Sequence, residues 1–506
     1  MNTLTNPLPS ETSRRVLLLV LACAITGCNA PRITSPGSAT GTVGQPFQYQ
    51  ITADGDPTSF SATVPPPPGL DVDTTTGLVS GVPQSVGTFP VRLGAFNRFG
   101  EATSSLSLTI RPGGSADSHD VLPGRELLLT APEILDSVHA RAGGAWHIRQ
   151  SLARIAGPGV DVETFAEQWF SSWAVNVQIG GTDERFETRP WVAQALRDAW
   201  RENRIRLIAI VNRLDLAQFP DGDSSREPTS LGEGRFVYEV RDAADSRLPF
   251  TLIFEYALPR EGGMRESLVA WAQRWHALGR PALGSGTTFP GAFLDELLDI
   301  TTRFSAHGQL NQIRSNEFLT RADGPQPDWE LREFHAAEGP ARLVQVPVAV
   351  TPAFALQNSL TLAQLLRTQE RDILSGKSLS LTAAQQGAVS RVPFGFKWEA
   401  PGAPARATFI ASFNSCSGCH AGNTGTTFQH LGALASGGSP FMTGNIPLAQ
   451  PLPPLDNTLL NHNEMAIRAR LLALHAGDER PSAALRSATS AQSVEDMIRS
   501  RMGRPH

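Results

Sequence analysis

Four cysteines serve 506 residues, and their placement rules out a disulfide scaffold. Cys23 and Cys28 lie at the N-terminal end; Cys416 and Cys419 form one local pair. Small exported domains staple themselves with many bridges. A chain this long and this poor in cysteine has to be held by ordinary apolar cores. The stretch after Cys28, about 480 residues, has room for two or three domains. Net charge is −5 with no basic run, which argues against nucleic acid as a partner.

The first residues are not expected to belong to any fold. Arg14 and Arg15 precede an apolar run from Val16 to Ile25. That run is too short to span a bilayer and has the size of a signal-peptide core. It ends in Ile25-Thr26-Gly27-Cys28, which resembles the lipobox of bacterial lipoproteins. The resemblance implies that residues 1–27 are a signal peptide, and that Cys28 carries lipid and tethers the chain to a membrane. An ordinary secretory signal is the alternative. Ser13-Arg14-Arg15-Val16 matches a twin-arginine signal only in part. Asn29 stands where an aspartate would signal inner-membrane retention, so the expected place is the cell envelope at the outer membrane. No second long apolar segment follows, which makes the lipid the one anchor expected.

Residues 28–40 read as a polar tether, and 41–112 as a small β domain. Phe47-Gln48-Tyr49-Gln50-Ile51, Phe89 to Phe96 and Leu106 to Ile110 alternate with period two, and turn residues separate them. Pro68-Gly69-Leu70-Asp71-Val72-Asp73, Thr76-Gly77-Leu78 and Ser80-Gly81-Val82-Pro83 together resemble the immunoglobulin-like repeat of bacterial surface proteins. That resemblance covers about 70 residues and implies a β-sandwich of cadherin-like type, used as a stalk or adhesion module. Asp71 and Asp73 are either calcium contacts or surface acids beside a turn. Calcium needs six or more oxygens, which the sequence does not assemble.

After a linker around Gly113-Gly114-Ser115, residues 121–400 read as a mixed α/β or α+β domain. The expected helices are Phe165–Trp173, Trp191–Trp200, Arg265–Leu278, Phe293–Phe304 and Leu360–Leu374. The expected strands are Arg206–Val211, Arg235–Val240 and Phe250–Tyr256. Polar residues gather near strand ends: Asn212-Arg213-Leu214-Asp215 after the first, Glu233 before the second, Glu255 inside the third. His276, Arg314, Asn316 and Glu317 come later. Such clusters suit a ligand site, but they also make turns and salt bridges. A hydrolase or lyase built on Asp215 and Glu255 is one open reading. No nucleophile elbow, phosphate loop, His-Glu-x-x-His or dinucleotide fingerprint is present.

Residues 401–506 hold Cys416-Ser417-Gly418-Cys419-His420, the attachment signature of c-type haem. Two thiols three residues apart can each form a thioether to a haem vinyl group, and the following imidazole can ligate the iron. The motif implies covalent haem c on Cys416 and Cys419, with His420 as proximal ligand. Attachment occurs outside the cytoplasm, in agreement with an exported chain, and argues for export unfolded. A local disulfide, a redox-active Cys-x-x-Cys, or half a zinc site with His420 or His430 are the rivals. The distal ligand is His430 or Met442, with Met465 behind them. The motif departs from the usual cytochrome c pattern, because Ala407–Phe413 precedes it as a strand or short helix and glycine-rich sequence follows. The haem is then embedded in the larger domain. The leading expectation is an envelope-anchored haem lipoprotein for electron transfer or haem redox chemistry, with a redox partner protein. The alternative is a surface binding or adhesion lipoprotein with a Cys416–Cys419 disulfide.

Overall fold

The computed structural model describes residues 29–477 apart from 43–46, 64–68, 84–86, 112–118, 177–187, 221–225, 321–326, 338–340, 349–350, 375–376, 388–389, 393–395, 417, 419–421, 427–428, 433–437, 444–445 and 448–460. Cys28, Cys419 and His420 lie outside the described residues. The chain forms two compact units, Met1–Ala116 and Asp117–His506. The stretches read as a mixed domain and a haem region therefore share one unit.

The first unit is a two-sheet sandwich. Its strands are β1 (Arg32–Ile33), β2 (Ser38–Thr42), β3 (Phe47–Gln50), β4 (Ala53–Asp54), β5 (Ser59–Thr63), β6 (Leu70–Val72), β7 (Leu78–Gly81), β8 (Gly87–Asn97) and β9 (Gly100–Arg111). One sheet runs β2-β9-β8-β5, the other β3-β7-β6, and β1 pairs with β4. Phe47, Tyr49, Val79, Val91, Leu93, Leu106 and Leu108 fill the space between them. Alternation on β3 buries Phe47 and Tyr49 and exposes Gln48 and Gln50, as period two requires. Gly81 sits at φ +142°, and a Cβ there would come 2.1 Å from the carbonyl oxygen of Gly69. The position accepts glycine only. Asp73 caps the turn before β7: its Oδ1 accepts from the backbone N–H of Thr75 (2.8 Å) and Thr76 (3.0 Å). Those two bonds hold its carboxyl below the usual range. The Asp73 side chain therefore has a structural task as a turn cap. The stretch read as a tether contributes β1 and most of β2. Both are too short and too polar to announce themselves by periodicity.

The second unit is built on one antiparallel sheet, β10 (Leu128–Leu129), β11 (Ile205–Gln218), β12 (Ser230–Arg241), β13 (Arg247–Ala257), β14 (Leu310–Thr320), β15 (Pro327–Ala336) and β16 (Leu343–Val346), in that order. A further strand, β17 (Ser390–Val392), also pairs with β15. The expected mixed fold is thus of the α+β kind. One face carries Phe236, Tyr238, Phe250, Leu252, Phe254, Tyr256, Ile313 and Phe334. Helices Ile148–Ala156, Val162–Ser171, Pro190–Arg201, Met264–Ala277 and Gly291–Phe304 belong to the same core and bring Trp169, Trp271 and Trp275 to it. Each fully buried aromatic contributes about 1.5–3 kcal/mol by leaving water, and Trp146, Trp169, Trp173, Trp271 and Trp275 are all fully buried.

Several expected boundaries shift. Asn212–Asp215 and Glu233 lie inside β11 and β12, because these strands run on past a register shift between Arg213 and Ala217. Leu360–Leu374 is two helices, Leu360–Thr368 and Glu370–Leu374, broken at Gln369. Ala405–Phe413 is a helix. Among the described residues no helix is long and apolar enough to cross a membrane.

Candidate functional site

The second face of the sheet is where the polar residues collect. On β11 to β15, side chains alternate, so residues two apart share a face. Register then sets Arg213 opposite Glu233, Arg235 opposite Glu255, and Arg314 opposite Glu333. The result is a ladder of arginines and carboxylates across five strands. Arg213 grips Asp215 with two bonds, 2.9 and 3.0 Å. Arg235 Nη2 lies 2.6 Å from Glu233, and Arg235 Nη1 lies 3.4 Å from Glu255. Arg314 reaches Glu255 at 3.3 Å and Glu333 at 3.0 Å. Gln312 donates to Glu255 at 2.6 Å.

This ladder lines a cavity of about 160 Å³. Val211, Val237, Ile253 and Leu331 give it apolar wall from the sheet. Phe413–Cys416, His430–Leu431 and Phe441–Met442 close the side opposite, and Glu464 and Arg468 of the helix Glu464–Ala476 close one end. The structure therefore brings Asp215, Glu255, Arg314, Asn316, Cys416, His430 and Met442 to one place. Glu317 points to the other face, and His276 belongs to a separate cluster. Met465 packs on the cluster of Phe409, Phe413, Phe441 and Met442 without lining the cavity.

Local geometry fixes Cys416 at the end of the helix Ala405–Phe413. Ser412 Oγ donates to Asn423 Oδ1 (2.7 Å) and accepts from the N–H of Trp398 (2.9 Å). Ser415 Oγ donates to the carbonyl of Ser412 (2.6 Å) and accepts from the N–H of Gly418 (3.2 Å). A Cβ at Gly418 would meet the carbonyl oxygen of Ser412 at 1.8 Å. The glycine inside the cysteine motif is what lets the chain fold back on the helix end. His430 Nδ1 is tied to Ser439 Oγ at 2.7 Å, and its ring stacks on Phe441 with centroids 4.5 Å apart.

Burial dominates the electrostatics, and arginine decides its sign. Burial pushes the Cys416 thiol up, against the pull of Arg314. Asp215 is also pushed up by burial, but Arg213 and Arg468 outweigh that and hold it below the usual carboxylate range. Burial raises Glu233 against Arg235, and the nearby Glu255 adds to the rise. The cavity thus presents a thiol, an imidazole and a thioether on apolar ground, beside arginines that pair with buried carboxylates.

Sequence reading found β11 to β13 but missed β14 and β15. Charged residues stand on both of their faces, which hides the apolar alternation. The signal was present in another form: Gln312-x-Arg314-x-Asn316 and Glu330-x-Arg332 both repeat polarity at period two.

Residues 30–111 match the family described as "Putative Ig domain". The N-terminal unit is an immunoglobulin-like domain. No curated protein matches the chain. Solved structures similar to it include a "putative alpha-galactosidase/melibiase" from Bacteroides fragilis, at 28% identity over 22% of this chain and 24% of that one, with a TM-score of 0.16. The tandem Ig repeats of Dlar match at 19% identity over 18% of this chain and 52% of that one, TM-score 0.15. A chimeric titin Z1Z2 matches at 21% identity over 17% of this chain and 96% of that one, TM-score 0.14. The chain thus spans about a quarter of the first of these and about half of the second. Likenesses at these scores say nothing about activity. The immunoglobulin-like domain accounts for the β-rich start of the chain, and a mixed helix-and-sheet unit follows it.

Proposed function

We propose that the second unit carries a covalent c-type haem on Cys416 and Cys419, with His420 as proximal iron ligand, and that the protein transfers electrons at the cell envelope while tethered by lipid on Cys28. The observation that supports this is the convergence of Cys416, His430 and Met442 on one cavity. The donor set suits the group. A porphyrin wants apolar faces, its carboxylates want arginine, and its iron takes imidazole or thioether. The cavity offers all three. When bound, haem supplies one-electron chemistry at the iron.

The chain's own residues have separable tasks. Cys416 anchors one edge of the group and shields it from solvent. Arg213, Arg235 and Arg314, now paired with Asp215, Glu233, Glu255 and Glu333, would be the partners for its carboxylates. His430 is oriented through Nδ1 by Ser439, which makes Nε2 the atom that would ligate; outer hydrogen bonds of this kind fix a ligand's tautomer. His430 is therefore preferred to Met442, and bis-histidine ligation gives the lower potential. The free space is below the roughly 300–1,000 Å³ of ordinary ligand pockets. With the cavity at about 160 Å³, haem would fit only if the wall that bears Cys416 stood further out.

Protein expressed with a cytochrome maturation system is expected to show a Soret band and a haem-stained band on a denaturing gel, both lost in Cys416→Ala. No Soret band, with an intact mass showing the two cysteines as a disulfide, would leave the adhesion reading in its place. Cys28→Ala is expected to move the protein from the membrane fraction to the soluble one.

The convergence of Asp215, Glu255 and Arg314 also favours a second reading, a hydrolase or lyase in the same cavity. Its carboxylates are engaged by arginine, which opposes their taking up a proton. A haem-free chain whose turnover of any ester or glycoside disappears in Asp215→Asn would support that reading.

A further inference from the structure

Every other buried carboxylate among the described residues, from Asp215 to Glu464, has an arginine within ion-pair reach. Glu126 faces two histidines instead. It is fully buried at the end of the short helix Pro123–Glu126. Its Oε2 lies 2.7 Å from Nδ1 of His276, in the last turn of the helix Met264–Ala277. Its Oε1 lies 3.2 Å from Nε2 of His119 and accepts from the N–H of Leu122 at 2.7 Å. The adjacent Arg125 turns away and donates to the carbonyls of Leu278, Leu283 and Thr288.

One ligand atom from each of His119, Glu126 and His276 lies within 4.8 Å of the other two. Donors around a tetrahedral zinc at 2.0–2.1 Å stand about 3.3 Å from one another, close to the present His119–Glu126 spacing. Gly279 keeps the place open: a Cβ there would come 2.0 Å from His119 Nε2 and 2.1 Å from Glu126 Oε1. The imidazoles keep a little solvent exposure, 15% and 11% of their side chains, while the carboxylate has none.

We propose that His119, Glu126 and His276 bind a divalent metal ion of the zinc class, at a site separate from the cavity that carries Cys416. Two nitrogens and one oxygen are three of the ligands of a four-coordinate site, with one position left for water. The metal-free arrangement is held by protons in the metal's place, with the two rings stacked 4.3 Å apart and 18° from parallel. Uptake turns the His119 ring out of that stack, which its position outside any helix or strand permits. Binding releases protons, so affinity falls in acid.

The test is zinc stoichiometry by equilibrium dialysis and metal analysis on the full chain, in a Cys23→Ser/Cys28→Ser/Cys416→Ser/Cys419→Ser background that removes the thiols as competing ligands. One equivalent is expected there, lost in Glu126→Gln and in His276→Ala, and weakened at least tenfold in Gly279→Ala. Zinc is also expected to raise the thermal transition of that background and leave it unmoved in His119→Ala, a loop substitution that serves should the buried variants fail to fold. No bound zinc, or an equivalent that survives both His119→Ala and His276→Ala, overturns the proposal.

Discussion

The two faces of the large sheet bury the same pair of side chains, arginine and glutamate, with opposite results. Under the helices, Glu317 receives the indole N–H of Trp173 (2.9 Å) and the hydroxyl of Ser315 (2.6 Å), and it pairs with Arg189 and with Arg332 (3.3 Å). Arg189 and Arg332 also hold Glu330. Tryptophan and phenylalanine seal this group completely. On the other face the Arg213–Glu333 ladder is spread over five strands and borders a cavity. Charges taken wholly out of water must satisfy one another completely, or the fold fails. Charges beside a cavity can be partly satisfied by whatever fills it. The first arrangement serves the fold, and the second is available for binding.

That contrast can be broken by removing one arginine from each face. Arg332→Met leaves Glu317 and Glu330 to share Arg189, one cation for two carboxylates in a dry core, and is expected to cost the second unit about 3–5 kcal/mol. Urea unfolding followed by tryptophan fluorescence reads it well, since the buried tryptophans all belong to this unit. Arg314→Met is the matching change on the cavity side. Glu255 keeps Arg235, Glu333 keeps His335 at 2.9 Å, and the cavity gives the side chains room to rearrange. A loss of about 1–3 kcal/mol is expected. Equal losses for the two would erase the distinction between the faces.

The helix Glu464–Ala476 touches both regions and supplies a finer test. His475 stacks on Phe219, and burial, with Arg265 adding and Asp215 opposing, brings its pKa down to about 4. In the unfolded chain it titrates near the ordinary value of 6.5. Between those limits the unfolded state takes up a proton that the native state refuses. Stability therefore falls as pH drops from about 6.5 to 4, and this contribution is constant above that window. After allowance for the residual exposure of the ring, about 1–2 kcal/mol is expected. The slope should vanish in His475→Gln, measured as the difference between two pH series.

How much of this could be read in the sequence varied with how cleanly a face was either apolar or polar. Phe47-x-Tyr49 and the Leu106–Ile110 run gave their strands away, since each has one wet side. The helices with tryptophans did the same at helical spacing. β14 and β15 did not, because Arg314 and Glu333 on one side and Glu317 and Arg332 on the other leave no apolar stripe. For the same reason the cavity was visible only as scattered polar residues. What joins Asp215 to Cys416, 201 positions later in the chain, is the packing of a helix end over the sheet, and no local pattern encodes it. The His119–Glu126–His276 cluster depends equally on a contact between two distant helices.

The sandwich has a consequence under load. β2 and β9, the strands near the two ends of the immunoglobulin-like domain, are hydrogen-bonded neighbours and run parallel, Ser38 to Thr42 beside Ser107 to Arg111. Tension between the N-terminal side and the following unit pulls β2 backward and β9 forward along the same line. The inter-strand bonds are then strained together in shear rather than opened one by one. A domain wired this way resists extension until the whole clamp yields.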